Sequence, residues 1–71
     1  MSMEIKAPMT GKIISIVVNL GDKVNADDEV IIMDAMKMEI PVQAPVDGTV
    51  KEIKVQEGDS VKTDQVLIVL E

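Results

Sequence analysis

Lys37 is the residue in this sequence whose position best suits it for chemistry, because it stands between two methionines in the segment Ala35-Met36-Lys37-Met38. An apolar stretch enters this segment from Val30, and alternating apolar residues leave it, so the pattern predicts an antiparallel hairpin with its tip at Met36 and Lys37. A lysine at such a tip presents a primary amine to solvent, where an enzyme can reach it. The neighbouring methionines would offer a flexible, polarizable surface to a partner or an attached group. The residues alone leave a second interpretation open, namely an ordinary exposed lysine between two core methionines.

Residue types that are missing exclude many other kinds of site. The 71 residues include no Cys, His, Phe, Trp or Tyr, and all seven basic residues are lysine. Ser-His-Asp and Cys-His catalysis, the usual zinc ligand sets and disulfides are therefore excluded. The run Asp27-Asp28-Glu29 lacks the ligand spacing and glycine of a calcium loop and indicates a solvated turn, so we expect no metal site.

Charge and hydropathy also narrow the possible partners. A net charge of −6, with no arginine and no aromatic ring, argues against nucleic-acid binding. No apolar run approaches the roughly 20 residues of a membrane span, and the N-terminus is polar rather than a signal peptide. We therefore expect a cytoplasmic protein that is not inserted in a membrane.

An internal repeat organises the chain. Residues 7–34 align with residues 44–71 without a gap, at a constant offset of 37 positions, and ten of the 28 pairs are identical. The shared features include an Ala-Pro dipeptide at the start of each copy and a Gly-Asp dipeptide in the middle. Because two copies are too few for a solenoid, the repeat predicts one closed domain over residues 1–71 with a pseudo-twofold axis. Residues 35–43 would form the hairpin at the junction of the copies.

Each copy has the pattern of β structure, with frequent Val, Ile and Thr in short runs interrupted by Gly, Pro, Asp and Asn. The predicted strands are Lys12–Val18, Val30–Ala35, a strand through Met38, Ile40 and Val42, Thr49–Val55 and Val66–Leu70. Apolar residues in the first strand of each copy step by three and then by two, which predicts a bulge near residues 14–15 and 51–52. Pro41 would fit only at a sheet edge or an irregular position. The fold class predicted from the residues is all-β.

These motifs resemble those of biotinyl domains, the biotin carboxyl carrier proteins of the biotin/lipoyl attachment family. The likeness rests on Ala35-Met36-Lys37-Met38, on an Ala-Pro-Met-x-Gly segment at residues 7–11, and on two Gly-Asp-x-Val turns at residues 21–24 and 58–61. It extends from Glu4 to Glu71. The family usually has Glu before the alanine, where this chain has Asp34. Some members also carry a protruding thumb, for which the two residues between Val18 and Gly21 leave no room.

The resemblance implies a fold, a cofactor and a set of partners. The fold would be a flattened β-barrel, or barrel-sandwich hybrid, of two four-stranded antiparallel sheets with pseudo-twofold symmetry, and its lysine hairpin would lie opposite the sheet that holds both termini. Biotin would be attached to Lys37 as an amide by a biotin protein ligase, with Ala35, Met36 and Met38 as the recognition motif. The loaded chain would carry a carboxyl group between biotin carboxylase and carboxyltransferase or decarboxylase subunits without catalysing a step itself.

Two other functions remain open at the level of the sequence. A lipoyl carrier domain of an oxo-acid dehydrogenase or of the glycine cleavage system has the same fold and a lysine hairpin, and a small protein could accept both groups. In lipoyl domains the lysine commonly follows Asp and precedes Ala, whereas Met36 and Met38 flank it here. The third function is that of a binding module that keeps the scaffold but is never modified.

Overall fold

Residues 2–71 of the computed structural model form eight β-strands arranged in two four-stranded antiparallel sheets. The strands are β1 (Met3–Lys6), β2 (Gly11–Ile16), β3 (Lys23–Val24), β4 (Glu29–Ala35), β5 (Met38–Gln43), β6 (Gly48–Ile53), β7 (Ser60–Val61) and β8 (Val66–Leu70). One sheet has the order β1-β8-β6-β3 and the other the order β5-β4-β2-β7. The predicted all-β class with two four-stranded sheets is confirmed. Across residues 2–71, no helix is long and apolar enough to cross a membrane.

The two sheets are related by the spacing of the repeat. Strands β2, β3 and β4 begin 37 residues before β6, β7 and β8, respectively. If β2, β3 and β4 are exchanged with β6, β7 and β8, and β1 is exchanged with β5, the strand order of one sheet becomes that of the other. Each sheet therefore contains strands from both halves of the chain, so neither half could fold as a separate layer. Strand β7 from the second half consequently lies beside β2 from the first half.

The core lies between the sheets and consists of aliphatic side chains and one methionine. The largest fully buried side chains are Ile13, Ile31, Met33, Leu67, Ile68 and Leu70. No polar or charged residue among those described is buried. Because a chain of this size can bury only about 60% of its unfolded surface, the stability of the fold depends on this small cluster.

Bulges and turns occur at matching positions in the two halves. The pairing of β2 with β4 shifts register between Ile13 and Ser15, and the pairing of β6 with β8 shifts between Val50 and Glu52, as the apolar spacing predicts. At the Gly-Asp turns, Gly21 has φ 87° and Gly58 has φ 93°. These left-handed values favour glycine, which has no Cβ to clash.

The first strand of each copy ends earlier than predicted. Strand β2 stops at Ile16 rather than Val18, and its counterpart β6 stops at Ile53 rather than Val55. One further hydrogen bond, from the Val17 N–H to the Val30 carbonyl at 3.0 Å, continues the pairing beyond β2. The chain then leaves the sheet while Val18 still packs into the core. The apolar pattern reports this burial and therefore overestimates the strand's length.

Candidate functional site

The hairpin between β4 and β5 closes with a turn of two residues. Ala35 pairs with Met38, so the turn consists of Met36 and Lys37, as predicted. Met36 has φ 53° and Lys37 has φ 63°. Left-handed φ at both central residues characterises a type I′ turn, whose twist matches that of the flanking strands and which usually contains Asn-Gly. Side chains in this conformation cost roughly 1–2 kcal/mol per residue, so the turn is locally strained.

The side chains of the turn point into solvent. Met36 is 84% exposed and Met38 is 65% exposed, so the interpretation of both as core methionines is wrong. Lys37 is also exposed, and it forms no salt bridge with any other residue of the described range 2–71. By contrast, Ala35 is only 3% exposed and anchors the end of β4. The arrangement leaves a primary amine accessible between two exposed thioethers at the tip of the hairpin.

Gly11 allows the strand beside the hairpin to approach closely. A Cβ atom at this position would lie 2.5 Å from the carbonyl oxygen of Asp34, 2.8 Å from Cε of Met33 and 3.1 Å from Cβ of Ala35. The first two distances are shorter than non-bonded atoms tolerate. Only glycine therefore lets β2 support the last residues of β4, directly before the turn. The Ala-Pro-Met-x-Gly segment thus has a structural role at the site.

The location of the hairpin separates it from the chain termini. Strands β1 and β8, which hold the two ends of the described chain, are neighbours in one sheet, whereas the hairpin belongs to the other. Strand β5 lies at the edge of its sheet, which explains how Pro41 is accommodated opposite Ile32 without a backbone N–H to donate. A tether at either terminus would therefore leave the Lys37 turn accessible.

An open depression lies beside the turn. Its volume is about 540 Å³, and it is lined by Thr10, Gly11, Lys12, Asp34, Met36, Lys37, Ser60, Val61, Lys62 and Gln65. The residues from Ser60 onward were not recognised in the sequence as part of a site. They reach it because β7 pairs with β2 across the two halves, with Val61 opposite Gly11. The repeat makes this pairing equivalent to that of β3 with β6 in the other sheet, so recognising either pairing would have suggested the other.

The exposed turn offers an attachment point at the Lys37 amine. Within residues 2–71 no group of three or more His, Cys, Asp or Glu residues could hold a metal ion, and Asp27 lies in a turn with φ 73°. The accessible amine of Lys37 can form an amide with a carboxylic acid such as biotin. The neighbouring depression has room for a small bicyclic head group, and the exposed Met36 can cover an apolar part of it. These residues fit an attached biotin.

Comparisons with known proteins agree with this geometry. A family model described as "Biotin-requiring enzyme" matches residues 3–70. The gamma subunit of glutaconyl-CoA decarboxylase from Acidaminococcus fermentans is 53% identical over 38 residues, which cover 54% of this chain and 26% of that subunit. Biotinylated protein TB7.3 from Mycobacterium tuberculosis is 38% identical over 42 residues, which cover 59% of each chain. The alignments thus span about three fifths or less of these curated relatives.

Solved structures contain the same fold within much longer chains. The crystal structure of Kluyveromyces lactis urea carboxylase matches with a TM-score of 0.94 and 34% identity, over 100% of this chain and 6% of that one. A single-chain, multi-domain long-chain acyl-CoA carboxylase matches with a TM-score of 0.90 over 96% of this chain and 7% of that one. At 24% identity, this second match shows the fold alone. Because the family match covers nearly the whole chain, the protein belongs to the biotin/lipoyl family of biotin-requiring enzymes, as a biotinyl domain.

Proposed function

We propose that this chain is a biotin carboxyl carrier, either a domain or a subunit, with biotin joined to Lys37. The observation that carries the proposal is the exposed amine of Lys37, which forms no salt bridge within residues 2–71 and stands at a two-residue turn whose flanking methionines are also exposed. A turn with left-handed φ at two residues other than glycine is strained, and such strain is concentrated at functional sites. The family to which the chain belongs supports biotin as the attached group.

Attachment would form one bond at the Lys37 nitrogen. The Nζ atom would attack the carboxyl carbon of biotin, activated by a ligase as an adenylate, so that an amide forms, AMP leaves and the amine loses a proton. The chain has no histidine that could act as a base toward Lys37, so the ligase would supply the environment for its deprotonation. The amide removes one positive charge and changes the net charge of the chain from −6 to −7.

Recognition by the ligase would depend on the surface around the turn. The exposed Met36 and Met38 present adaptable apolar contacts on either side of the reacting amine. Ala35 would contribute indirectly, since its buried methyl group fixes the end of β4. These three residues would therefore orient and present Lys37 rather than react themselves.

The carrier role follows from the tether. When bound, biotin supplies a ureido nitrogen that holds a carboxyl group. The lysine side chain and the valeryl chain together would form an arm of roughly 10–15 Å, estimated from standard bond lengths. Tethering keeps the carried group at an effective concentration in the mM range near its partners. This chain would catalyse no step, and biotin carboxylase and carboxyltransferase or decarboxylase subunits would act on its arm. The names of similar proteins, a decarboxylase subunit and a urea carboxylase, support such partners, and a cytoplasmic location stays a prediction.

The decisive experiment is co-expression with a biotin ligase and, separately, with a lipoate ligase, followed by intact-mass measurement. We expect one biotin on the wild-type chain and none on Lys37→Arg, which keeps the charge but removes the nucleophile. Lys51→Arg is the matched control, because this lysine lies on β6 in the other sheet and forms a salt bridge with Glu71 at 3.6 Å. It should be labelled like the wild type.

Three outcomes would contradict the proposal. Labelling by the lipoate ligase alone would establish a lipoyl carrier instead. An adduct that persists in Lys37→Arg and maps to Lys12 or Lys51 would overturn the site. A chain that neither ligase modifies would be an unmodified binding module.

A further inference from the structure

The depression beside Lys37 has a charge opposite to that of the whole chain. It is lined by three of the seven lysines, Lys12, Lys37 and Lys62, but by only one of the 13 acidic residues, Asp34. None of these three lysines forms a salt bridge with another residue in the range 2–71. After Lys37 has been converted to an amide, the depression would still carry two lysines against one carboxylate. An otherwise acidic surface thus has a basic concavity at the root of the proposed arm.

The internal repeat shows that the fold does not require these lysines. The positions 37 residues away from the lining residues form the corresponding end of the other half. There Thr49 replaces Lys12 and Asn25 replaces Lys62. That end has three acidic residues and one lysine, namely Asp28, Asp47, Glu71 and Lys23. Two ends built on the same backbone pattern therefore carry opposite charge, and the basic one adjoins the hairpin.

Strand register places the polar groups of the depression in one row. Lys12 of β2 pairs with Asp34 of β4 on one side and with Ser60 of β7 on the other. Side chains of directly paired residues lie on the same face of a sheet, and all three residues are exposed. Two strand spacings correspond to about 10 Å, so an arm of roughly 10–15 Å attached at Lys37 can reach from β4 across to β7.

Two further residues complete the set of donors. Lys62 directly follows β7 and adds a second ammonium group to the depression. The side-chain oxygen of Gln65 accepts a hydrogen bond from the Lys62 N–H at 3.1 Å, which leaves the N–H groups of its amide for another acceptor. The depression therefore presents ammonium, hydroxyl and amide donors to an anionic or carbonyl group.

We infer that this depression binds the head group of the Lys37 arm when it folds back onto the domain, and that Lys12 and Lys62 bind the carried carboxylate. This inference rests on the proposed function. The ureido oxygen and the carboxylate are acceptors that match the lysine, serine and glutamine donors, and the volume of about 540 Å³ accommodates the bicyclic ring. Carboxylation adds a negative charge to the head group, so the loaded arm would bind more strongly than the unloaded arm. The domain would thus hold its cargo between visits to partner sites.

The test compares backbone amide NMR spectra of the full chain in three forms. These are the unmodified chain, the biotinylated chain, and the biotinylated chain loaded by a biotin carboxylase with ATP and 13C-bicarbonate. We expect the amides of Lys12, Ser60, Lys62 and Gln65 to shift on biotinylation and to shift further on loading. Surface charge pairs contribute up to about 1 kcal/mol of free energy, so each lysine should raise the ratio of folded-back to extended arms about two- to fivefold. Raising the salt concentration to 1 M should reverse most of the additional shift.

Matched variants separate a specific site from general electrostatics. Lys12→Gln/Lys62→Gln should lose the additional shift on loading, whereas Lys23→Gln/Lys51→Gln, with the same charge change in the other sheet, should retain it. Equal behaviour of the two double variants, or a correctly loaded chain without shifts in the depression, would overturn the inference but leave the proposed function intact. Loss of loading by the carboxylase without any change in shifts would instead assign the lysines to partner contact. A chain that carries no biotin in the mass spectrum would overturn both proposals.

Discussion

Gly11 and Gly48 occupy equivalent positions in the two halves, and substituting each by alanine gives a controlled test of how the hairpin is supported. A Cβ atom at Gly11 would lie 2.5 Å from a backbone oxygen at Asp34 and 3.1 Å from the Cβ of Ala35. At Gly48, the atom nearest to an added Cβ would be the Cβ of Leu70, at 3.1 Å. The first substitution requires the backbone to move, whereas the second requires an adjustment of a few tenths of an ångström.

The expected free energies of unfolding follow from these contacts. Overpacking costs typically 1–3 kcal/mol, and replacing glycine by alanine returns about 0.4–1 kcal/mol by restricting the unfolded chain. We expect Gly11→Ala to destabilise the fold by about 2 kcal/mol and Gly48→Ala to change it by no more than about 0.5 kcal/mol. For a domain of this size, the first change lowers Tm by about 8–16 °C.

The assay must avoid aromatic signals, because the chain contains no Phe, Trp or Tyr. Thermal unfolding followed by far-ultraviolet circular dichroism or calorimetry gives Tm for both variants. The rate of biotinylation, measured by mass at a temperature where both variants are folded, reports on the hairpin itself. We expect Gly11→Ala to be labelled more slowly, because its strain falls on the residues directly before the turn. Equal shifts in Tm, or a slower reaction for Gly48→Ala, would refute the link between this close approach and the presentation of Lys37.

Three other predictions concern the turns. Met36→Gly should raise the free energy of unfolding by about 1 kcal/mol, since glycine adopts left-handed φ without strain. The same substitution should slow biotinylation, and unchanged labelling would show that the thioether is not recognised. Met36→Lys/Lys37→Met exchanges the two central residues of the turn, which keeps composition and charge but moves the amine by one position. A competition assay against the wild-type chain should show much weaker labelling. Equal labelling would mean that the position of the lysine within the turn does not matter. Asp22→Ala and Asp59→Ala each remove a carboxylate that accepts a 2.9 Å hydrogen bond from a backbone N–H. Urea titration should show that each lowers the free energy of unfolding by about 1 kcal/mol. A large difference would mean that the two turns are not energetically equivalent.

The sequence allowed most of the architecture to be predicted because its signals are local and occur twice. The bulges at Ile14 and Lys51 follow from apolar spacing that repeats in both copies. The turn at Met36 and Lys37 follows from the apolar runs on either side. The ends of the strands were predicted less accurately, because Val18 and Val55 are buried in the core although they lie outside the sheets. Hydropathy indicates whether a side chain is buried and does not report whether its backbone pairs.

The surroundings of the candidate site were harder to predict because they depend on contacts between distant segments. Lys62 and Gln65 are more than 20 residues from Lys37 and reach it only because β7 pairs with β2. A reading of the chain in order places these residues in an unremarkable turn of the second copy. The exposure of Met36 and Met38 was equally ambiguous, since methionine is common both in cores and at binding surfaces.

The repeat also separates strain that the architecture requires from strain that is specific to the hairpin. Asp27 and Asp64 have left-handed φ of 73° and 68° at equivalent positions, so this conformation belongs to the shared backbone pattern. Met36 and Lys37 lie between the repeated segments 7–34 and 44–71, so their left-handed φ is not part of the shared pattern. Asn-Gly would form the same turn at lower cost, and the total stability of a domain of this length is only about 4–10 kcal/mol. A cost of roughly 1–2 kcal/mol per residue at this turn therefore favours a function that needs these two side chains in these positions over a purely structural role.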